Sequence, residues 1–233
     1  MKIGFFGGSF DPPHRGHIAL ARLAIERLSL ERVLFAPVGV QPLKRDRPTA
    51  SFDDRVAMTT LAIAGHPAVE ISLIDAPRPD GRPNYTIDTL RALRATLPAD
   101  DQVFCLMGAD SFLSIGRWYR AADLLVGCDF VVAARPGFDL GRLAAALPAS
   151  VSVAATDAPY PGCLALSLHR GPHRASRLYL LTDLSVEVSA SAIRAALTHG
   201  CEAGHGMPAE SAIDPRVAAY IRSHGLYSAN TAS

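Results

Sequence analysis

The chain has 233 residues, of which 49% are hydrophobic, and its formal net charge at pH 7 is +1. This length suits one large α/β domain or two small ones, with ample apolar residues for a buried core. Because 23 basic residues face 22 acidic ones, no global field attracts nucleic acid or a membrane surface, and any anion site must be local. No apolar run is long enough for a membrane span.

The cysteines indicate the compartment. They are far apart and form no C-x-x-C pair, which is typical of reduced thiols in a cytoplasmic protein: Cys105, Cys128, Cys163 and Cys201. The chain runs directly into its first strand, so we expect no signal peptide. We find no internal repeat, and we expect a single domain over 1–227 with a disordered tail at 228–233.

The first 28 residues predict a strand, a glycine-rich turn and a helix. Apolar residues at 3–6 form the strand, and residues 7–9 interrupt it. From Arg15, apolar residues recur at helical spacing. This order places unpaired backbone N–H groups and the positive end of a helix dipole at one point, which suits a phosphate. His14 and His17 lie three residues apart there and can face the same anion.

Strands and helices alternate along the rest of the chain. Further strands are predicted at 32–38, 69–73, 102–107, 130–134 and 178–181. Further helices are predicted at 51–64, 86–97, 189–197 and 215–224, with Ser51, Thr86 and Ser189 at their starts. This alternation predicts an α/β fold, a Rossmann-like, doubly wound parallel sheet with helices on both faces, completed by the C-terminal helices. Ligands of such sheets lie beyond the carboxyl ends of the strands.

Two segments are poorly patterned. Residues 143–177 are interpreted as a partly irregular insertion before the last strand, and residues 198–213 as a mobile loop. A His199-x-Cys201-x-x-x-His205 string lacks a fourth zinc ligand at a recognised spacing. A basic group formed by His169, Arg170, His173 and Arg174 is interpreted as solvated rather than as a nucleic-acid site.

The phosphate-binding turn matches neither G-x-x-x-x-G-K-[ST] nor G-x-G-x-x-G. Its string GGSFDPPHRGH, residues 7–17, instead resembles the His-x-Gly-His signature of the nucleotidyltransferase superfamily, and most closely that of bacterial nicotinate-nucleotide adenylyltransferases. The string VSASAIR at 188–194 resembles the second signature of this family, and the closing strings at 217–221 and 225–227 resemble its terminal helix. The resemblance covers nearly the whole chain.

The resemblance implies an activity: transfer of AMP from ATP to nicotinate mononucleotide, giving deamido-NAD and pyrophosphate in NAD biosynthesis, with Mg²⁺ on the ATP phosphates. Such a transfer needs positioning and charge neutralisation, and no covalent enzyme intermediate. The implied catalytic residues are His14, His17, Lys44 and Arg194. We assign His17 to the α-phosphate and His14 to the β- and γ-phosphates or the leaving group. Because the loop around Lys44 diverges from the family pattern, Arg45 or Arg47 can share its role.

The resemblance also implies two sets of binding residues. The ATP set is Gly7, Gly8, Ser9, Phe10, His14, His17, Gly108, Asp110, Ser189, Ser191 and Arg194. The mononucleotide set is Tyr85, Thr86, Asp110, Trp118, Tyr119 and Arg135. Within it, Trp118 and Tyr85 would flank the nicotinate ring, and backbone amides near Thr86 and Tyr119 would hold its carboxylate. Arg55 has a family counterpart, but a solvated Arg on a helix face is an equal alternative.

Other readings stay open. The acceptor can be nicotinamide mononucleotide, phosphopantetheine, or a sugar or polyol phosphate with CTP as donor. The aromatic pair favours a pyridine nucleotide. A nucleotide-binding module without activity is a second class, which the complete set of cations disfavours. The sequence predicts no partner among nucleic acids or membranes and leaves homo-oligomerisation open.

Overall fold

The computed structural model describes residues 1–42, 50–134, 139–172, 175–184, 188–199 and 209–228. Its strands are β1 Lys2–Gly8, β2 Arg32–Pro37, β3 Val69–Ile71, β4 Gln102–Gly108, β5 Asp129–Ala133, β6 Ser152–Thr156, β7 Cys163–His169 and β8 Ala175–Leu181. Its helices are α1 Arg15–Leu28, α2 Phe52–Ile63, α3 Thr86–Ala95, α4 Ala109–Phe112, α5 Ala121–Leu125, α6 Leu140–Ala146, α7 Ala190–His199 and α8 Pro215–Ser223. Short 3₁₀ turns lie at Ile115–Arg117 and Ala209–Ala212.

The strands form one sheet in the order β3-β2-β1-β4-β5-β8-β7-β6. The strands from β3 to β8 in this order are parallel, whereas β7 and β6 are antiparallel. After β3 the chain crosses over β1 to β4, so the strand order reverses beside β1. The crevice at such a reversal is the usual ligand site of open α/β sheets. The predicted Rossmann-like α/β fold is confirmed.

Residues 143–177 were expected to be partly irregular, whereas much of this segment is regular secondary structure. They contain the end of α6 and the strands β6 and β7, which extend the parallel sheet by an antiparallel pair. In β7, Cys163, Ala165 and Leu168 are buried while Leu164 is 45% exposed. Leu164, Leu166 and Leu168 alternate with small or polar residues, a period-two pattern typical of a strand, which the sequence analysis did not use.

Smaller differences concern the ends of elements. β1 continues through Gly7 and Gly8, which were predicted to interrupt it. Tyr85, rather than Thr86, is the N-cap of α3. Of the loop predicted at 198–213, residues 198–199 belong to α7 and 209–212 form a 3₁₀ turn, whereas 200–208 lie outside the described residues. Most of the predicted tail, 229–233, also lies outside them.

The core has three parts. Side chains of β1 alternate between the two faces of the sheet, as a strand dictates: Ile3 and Phe5 join one cluster and Phe6 the other. A third cluster packs α7 and α8 against α2 through residues such as Met58 and Ile193. The C-terminal helices are thereby attached to the sheet. Within the described part of the chain, no helix is long and apolar enough to cross a bilayer.

Asn84 holds together two loops beside the crevice, the one after β2 and the one between β3 and α3. Its Oδ1 accepts from the backbone N–H of Val40 at 3.1 Å, and its Nδ2 donates to the carbonyl oxygens of Asp75 and Ala76 at 3.1 and 2.9 Å. The loops touch so closely that a Cβ on Gly39 would lie 2.4 Å from the backbone nitrogen of Pro77. Gly39 is therefore required for this close approach.

We expect Gly39→Ala to lower the free energy of unfolding by about 2 kcal/mol, because the added methyl group must displace backbone atoms. Gly108→Ala is the matched control, since a Cβ there meets nothing within 4 Å and φ is −76°. Urea unfolding measures both variants. Equal stability of the two would contradict the close approach at Gly39.

Candidate active site

The turn between β1 and α1 brings two imidazole rings together. The rings of His14 and His17 stack with centroids 3.7 Å apart. The backbone N–H of His14 donates to Nδ1 of His17 at 3.1 Å. Since Nδ1 is then an acceptor, the neutral His17 ring carries its proton on Nε2 and can donate from there.

Aromatic side chains fix the His17 ring in place. Phe6 and Phe10 contact it edge-on, with centroid distances of 5.6 and 5.0 Å. Phe10 is fully buried, stacks on Phe35 at 5.2 Å, and has a left-handed φ of 48°. A bulky residue keeps this conformation only where its surroundings hold it. The donor of His17 is thus positioned before any ligand arrives.

His14 is a buried base. Its side chain is 9% exposed, and Nδ1 has no hydrogen-bond partner among the described residues. Burial lowers the pKa of His14 from 6.5 to about 4, because desolvation disfavours the charged ring. At neutral pH the ring is therefore uncharged, with an unused polar atom at the start of α1.

Asp11 connects the first motif to the C-terminal half of the chain. Its carboxylate is buried, and Oδ1 accepts from the backbone N–H of Ala50 at 3.2 Å and from the Tyr227 hydroxyl at 2.7 Å. Nη1 of Arg194 donates to the backbone carbonyl of Asp11 at 2.6 Å and lies 3.7 Å from Oδ2. Asp11 and Arg194 are 183 residues apart in the sequence, and their hydrogen bond brings the two sequence motifs into direct contact.

Arg55 also supports the turn between β1 and α1. It is 2% exposed, so the alternative of a solvated Arg on a helix face was wrong. Nη1 donates to the carbonyl oxygen of Ser9 at 2.8 Å, and the charge of Asp11 favours the protonated guanidinium, although burial lowers its pKa. The partner of Arg55 is a backbone carbonyl, which leaves no pattern in the sequence. The family counterpart was therefore the only signal for Arg55 that the sequence analysis had.

The second motif forms another helix N-terminus. Oγ of Ser189 accepts from the backbone N–H of Ala192 at 3.1 Å, which caps the first turn of α7. Nη2 of Arg194 lies 3.4 Å from Oγ of Ser191. The starts of α1 and α7 line the same cleft, with imidazole groups at one and hydroxyl groups at the other, and Arg194 reaches from α7 to the turn before α1.

One cleft of about 1260 Å³ collects the predicted residues that the structure describes. They are Gly7, Gly8, Ser9, Phe10, His14, His17, Tyr85, Thr86, Gly108, Asp110, Trp118, Tyr119, Ser189, Ser191 and Arg194. Lys44 and Arg135 lie outside the described residues, as do Arg45 and Arg47. The sequence did not single out Asp75, Asn84, Arg117 and Arg142, which also line the cleft. The individual roles stay predictions.

Aromatic residues form one wall of the cleft. Nε1 of Trp118 donates to Oγ of Ser114 at 3.0 Å, which fixes the indole. The rings of Tyr85 and Tyr119 lie 4.4 Å apart at 35°. Tyr85 was predicted to flank a ligand ring together with Trp118, and its ring contact in the structure is with Tyr119. Tyr119 is 50% exposed, so it can move aside at little cost.

His169 and Arg170, from another candidate group in the sequence, do not line this cleft. His169 contacts Ser167, and Arg170 pairs with Asp123. Cys201 and His205 of the zinc hypothesis, and His173 and Arg174 of the basic group, lie outside the described residues. Those residues that the structure describes contain no group of three or more His, Cys, Asp or Glu that could hold a metal ion.

Comparison with known proteins identifies the family. The sequence profile of the cytidylyltransferase-like family matches residues 5–196. The chain belongs to this family. Among its relatives, proteins named "Probable nicotinate-nucleotide adenylyltransferase" are 35% identical in Gloeobacter violaceus and 36% in Pelobacter propionicus. These alignments cover 97% and 98% of this chain, and 96% and 99% of the relatives. The resemblance to these adenylyltransferases is confirmed.

Solved structures support the fold of this cytidylyltransferase-like protein. The Plasmodium falciparum nicotinic acid mononucleotide adenylyltransferase complexed with NaAD aligns with a TM-score of 0.69 over 97% of each chain, at 17% identity. The same enzyme complexed with APC aligns with a TM-score of 0.66 at 18% identity, over 97% of this chain and 96% of that one. At these identities the likeness is one of fold.

The buried state of His14 predicts a pH effect on stability. Unfolded His14 takes up a proton near its ordinary pKa of 6.5, whereas the folded protein resists protonation until about pH 4. Stability is therefore lost as the pH falls through this window, by about 3 kcal/mol for this one group. In urea unfolding at pH 7 and pH 4.5, His14→Ala should lose less stability than the parent. Parallel losses in both proteins would contradict the buried neutral ring.

Proposed function

We propose that this protein transfers AMP from ATP to nicotinate mononucleotide, giving deamido-NAD and pyrophosphate in NAD biosynthesis. The observation that carries the proposal is the meeting of two helix N-termini, His17 and Arg194 in one cleft that also has an aromatic wall. Helix starts and cations suit a polyphosphate, and aromatic rings suit a pyridine ring. The names of relatives that cover almost the whole chain support the same activity.

The chemistry is an in-line displacement at the α-phosphorus of ATP. A phosphate oxygen of the mononucleotide forms a bond to this phosphorus, the bond to the β-phosphate oxygen breaks, and pyrophosphate leaves with that electron pair. Protein groups contribute by orienting the phosphates and stabilising charge as it develops. No covalent enzyme intermediate is needed.

His17 suits the central role, because its Nε2 proton is aimed by the hydrogen bond at Nδ1 and by the aromatic rings around it. We assign it to the α-phosphate, His14 to the β- and γ-phosphates, and Arg194 to the leaving group. Lys44 is assigned to the phosphates from the loop after β2, with Arg45 or Arg47 as alternatives. ATP would lie against Gly7, Gly8, Ser9, Phe10, Gly108, Asp110, Ser189 and Ser191.

The residues of the cleft fit a magnesium ion that arrives with ATP. Asp110 is an exposed carboxylate in the cleft, and Ser189 and Ser191 add hydroxyl oxygens. Mg²⁺ usually keeps several waters and binds one or two carboxylates together with substrate phosphates, so it needs no dedicated cage of ligands. When bound, Mg²⁺ neutralises charge on the phosphates and on the leaving pyrophosphate.

The acceptor would occupy the aromatic side of the cleft. Trp118 and Tyr85 are proposed to contact the nicotinate ring, and backbone amides near Thr86 and Tyr119 to hold its carboxylate. Asp110 would accept from ribose hydroxyl groups, and Arg135 would bind the mononucleotide phosphate. We further propose that the reaction takes place in the cytoplasm, which agrees with the free thiols of Cys105, Cys128 and Cys163.

Pyrophosphate release tests the activity directly. The purified chain, ATP, Mg²⁺ and nicotinate mononucleotide should release pyrophosphate and form deamido-NAD at a rate that is absent without acceptor. A protein that binds ATP but forms no product would instead be a nucleotide-binding module without activity.

His17→Ala should lower kcat at least about 100-fold, because it removes a donor aimed at charge that develops in the transition state. The KM for ATP should change much less. His66→Ala is the matched control, since His66 does not line the cleft, and it should keep the parent kcat. A folded His17→Ala protein with more than about a tenth of the parent kcat would exclude this role.

Selectivity for the acid follows from the proposed carboxylate contacts. Backbone N–H donors satisfy both carboxylate oxygens, whereas the NH₂ of an amide would place a donor against a donor. An unpaired buried group of this kind costs about 1–3 kcal/mol, and the loss of charge-assisted bonding adds to it. We expect kcat/KM for nicotinate mononucleotide to exceed that for nicotinamide mononucleotide by at least about 100-fold.

Steady-state pyrophosphate release with each acceptor, at saturating Mg·ATP, measures this ratio. Similar values would indicate an enzyme of dual specificity. A preference for the amide would rule out the assigned pocket.

A further inference from the structure

We propose that Tyr227, near the end of the chain, is a positioning residue of the active site, which acts through Asp11 on Arg194. This inference rests on the proposed function for its kinetic test, but its geometry does not depend on that function. Tyr227 does not line the cleft and touches no substrate in the proposed mechanism.

Tyr227 bridges the two motifs with its two polar ends. Its hydroxyl donates to Oδ1 of Asp11 at 2.7 Å, across 216 residues of sequence. Its carbonyl oxygen accepts from Oγ1 of Thr198 at 2.8 Å. Thr198 lies one turn beyond Arg194 on α7, and its hydroxyl is also 2.8 Å from the Arg194 carbonyl oxygen. Tyr227 thus contacts both the carboxylate beside Arg194 and, through the Thr198 hydroxyl whose one proton is shared between two carbonyl oxygens, the helix that carries Arg194.

The rest of the protein holds Tyr227 in this position. The backbone N–H of Leu226 donates to the carbonyl oxygen of Ile221 at 3.0 Å, which folds the segment back onto α8. Tyr227 packs against the third core cluster and has a left-handed φ of 60°. A bulky residue adopts this conformation only where its contacts outweigh the strain. Burial and the nearby Asp11 raise the pKa of Tyr227, so the phenol stays protonated and donates.

The Tyr227 hydroxyl is one of the groups that hold the Asp11 carboxylate in its orientation. Oδ1 is engaged by Ala50 and Tyr227, while Oδ2 stays 3.7 Å from Nη1 of Arg194. This separation is longer than a charge-assisted hydrogen bond. Without the phenol, Oδ1 loses a donor in a buried place, and Asp11 gains from turning towards Arg194. A tight pair with Asp11 would then neutralise the guanidinium that the proposed mechanism assigns to the leaving group.

The test compares two tyrosines of the same C-terminal segment. Tyr227→Phe removes the hydroxyl and keeps the ring. Tyr220→Phe is the matched control, because the Tyr220 hydroxyl also donates to a carboxylate, that of Asp54, at 2.9 Å, but neither residue lines the cleft. We expect Tyr227→Phe to lower kcat about tenfold, the scale of one hydrogen bond to a charged group. The KM values should stay within about twofold, and Tyr220→Phe should keep the parent kcat.

A double-mutant cycle separates positioning from general destabilisation. Asn at position 11 cannot form an ion pair with Arg194, so Tyr227→Phe should reduce kcat much less in the Asp11→Asn background than in the parent. Additive effects on kcat would overturn the proposal. So would an unchanged kcat in Tyr227→Phe, or a loss of kcat that Tyr220→Phe reproduces with the same change in melting temperature.

Hydrogen exchange makes the outcome independent of the assigned reaction. In the free protein, amides of residues 8–17 and of α7 should exchange faster in Tyr227→Phe than in the parent, and at the parent rate in Tyr220→Phe. If the parent protein forms no pyrophosphate, the proposed function fails and this measurement alone decides the link. Unchanged exchange in both segments would then refute it.

Discussion

The buried carboxylate of Asp11 is the contact on which the arrangement of the site depends. A charge out of water is tolerated only when it is paired and hydrogen-bonded, and removing one partner is strongly destabilising. Asp11 meets this requirement with groups from distant parts of the chain, namely the backbone N–H of Ala50, the Tyr227 hydroxyl and the Arg194 guanidinium. Satisfying one carboxylate therefore brings the start of α2, helix α7 and the C-terminal segment to the turn between β1 and α1.

Electrostatics in the cleft are local, which agrees with a net charge of only +1. Two helix N-termini supply partial positive charge, and Arg194 supplies a full one next to them. His14 is uncharged at neutral pH, and His17 is held in one orientation by the hydrogen bond at its Nδ1. The two rings therefore add directed hydrogen-bonding groups rather than a diffuse positive charge. A site of this kind attracts phosphates at one point without making the whole surface basic, so it suits a small anionic substrate better than a polymer.

Much of the fold was predictable, because burial imposes a period on the sequence. Strands buried on both faces, such as β2 and β4, appear as apolar runs, and α1 and α8 show helical spacing with recognisable ends. The antiparallel pair β6–β7 was missed: β6 consists mainly of small residues with little apolar contrast, and the alternating leucines of β7 were not recognised as a strand. The predicted residues that line the cleft were found for a different reason: many of them are grouped in two short motifs that open helices. The role of Tyr227 was not predictable, because its partner is a carboxylate 216 residues away, and the burial of Arg55 was left undecided, because its partner is a backbone carbonyl.

The sequence by itself determined the local chemistry, a glycine-rich turn with His14 and His17 at one helix start and Ser189 and Arg194 at another. Backbone geometry and helix capping act over a few residues, so residues that are neighbours in the sequence determine them. Only the tertiary structure decided that these two helix starts share one cleft, that Arg55 is buried under Ser9, and that Tyr227 reaches Asp11. Those contacts depend on the order of strands in the sheet and on the packing of α7 and α8 against α2, which are properties of the whole folded chain.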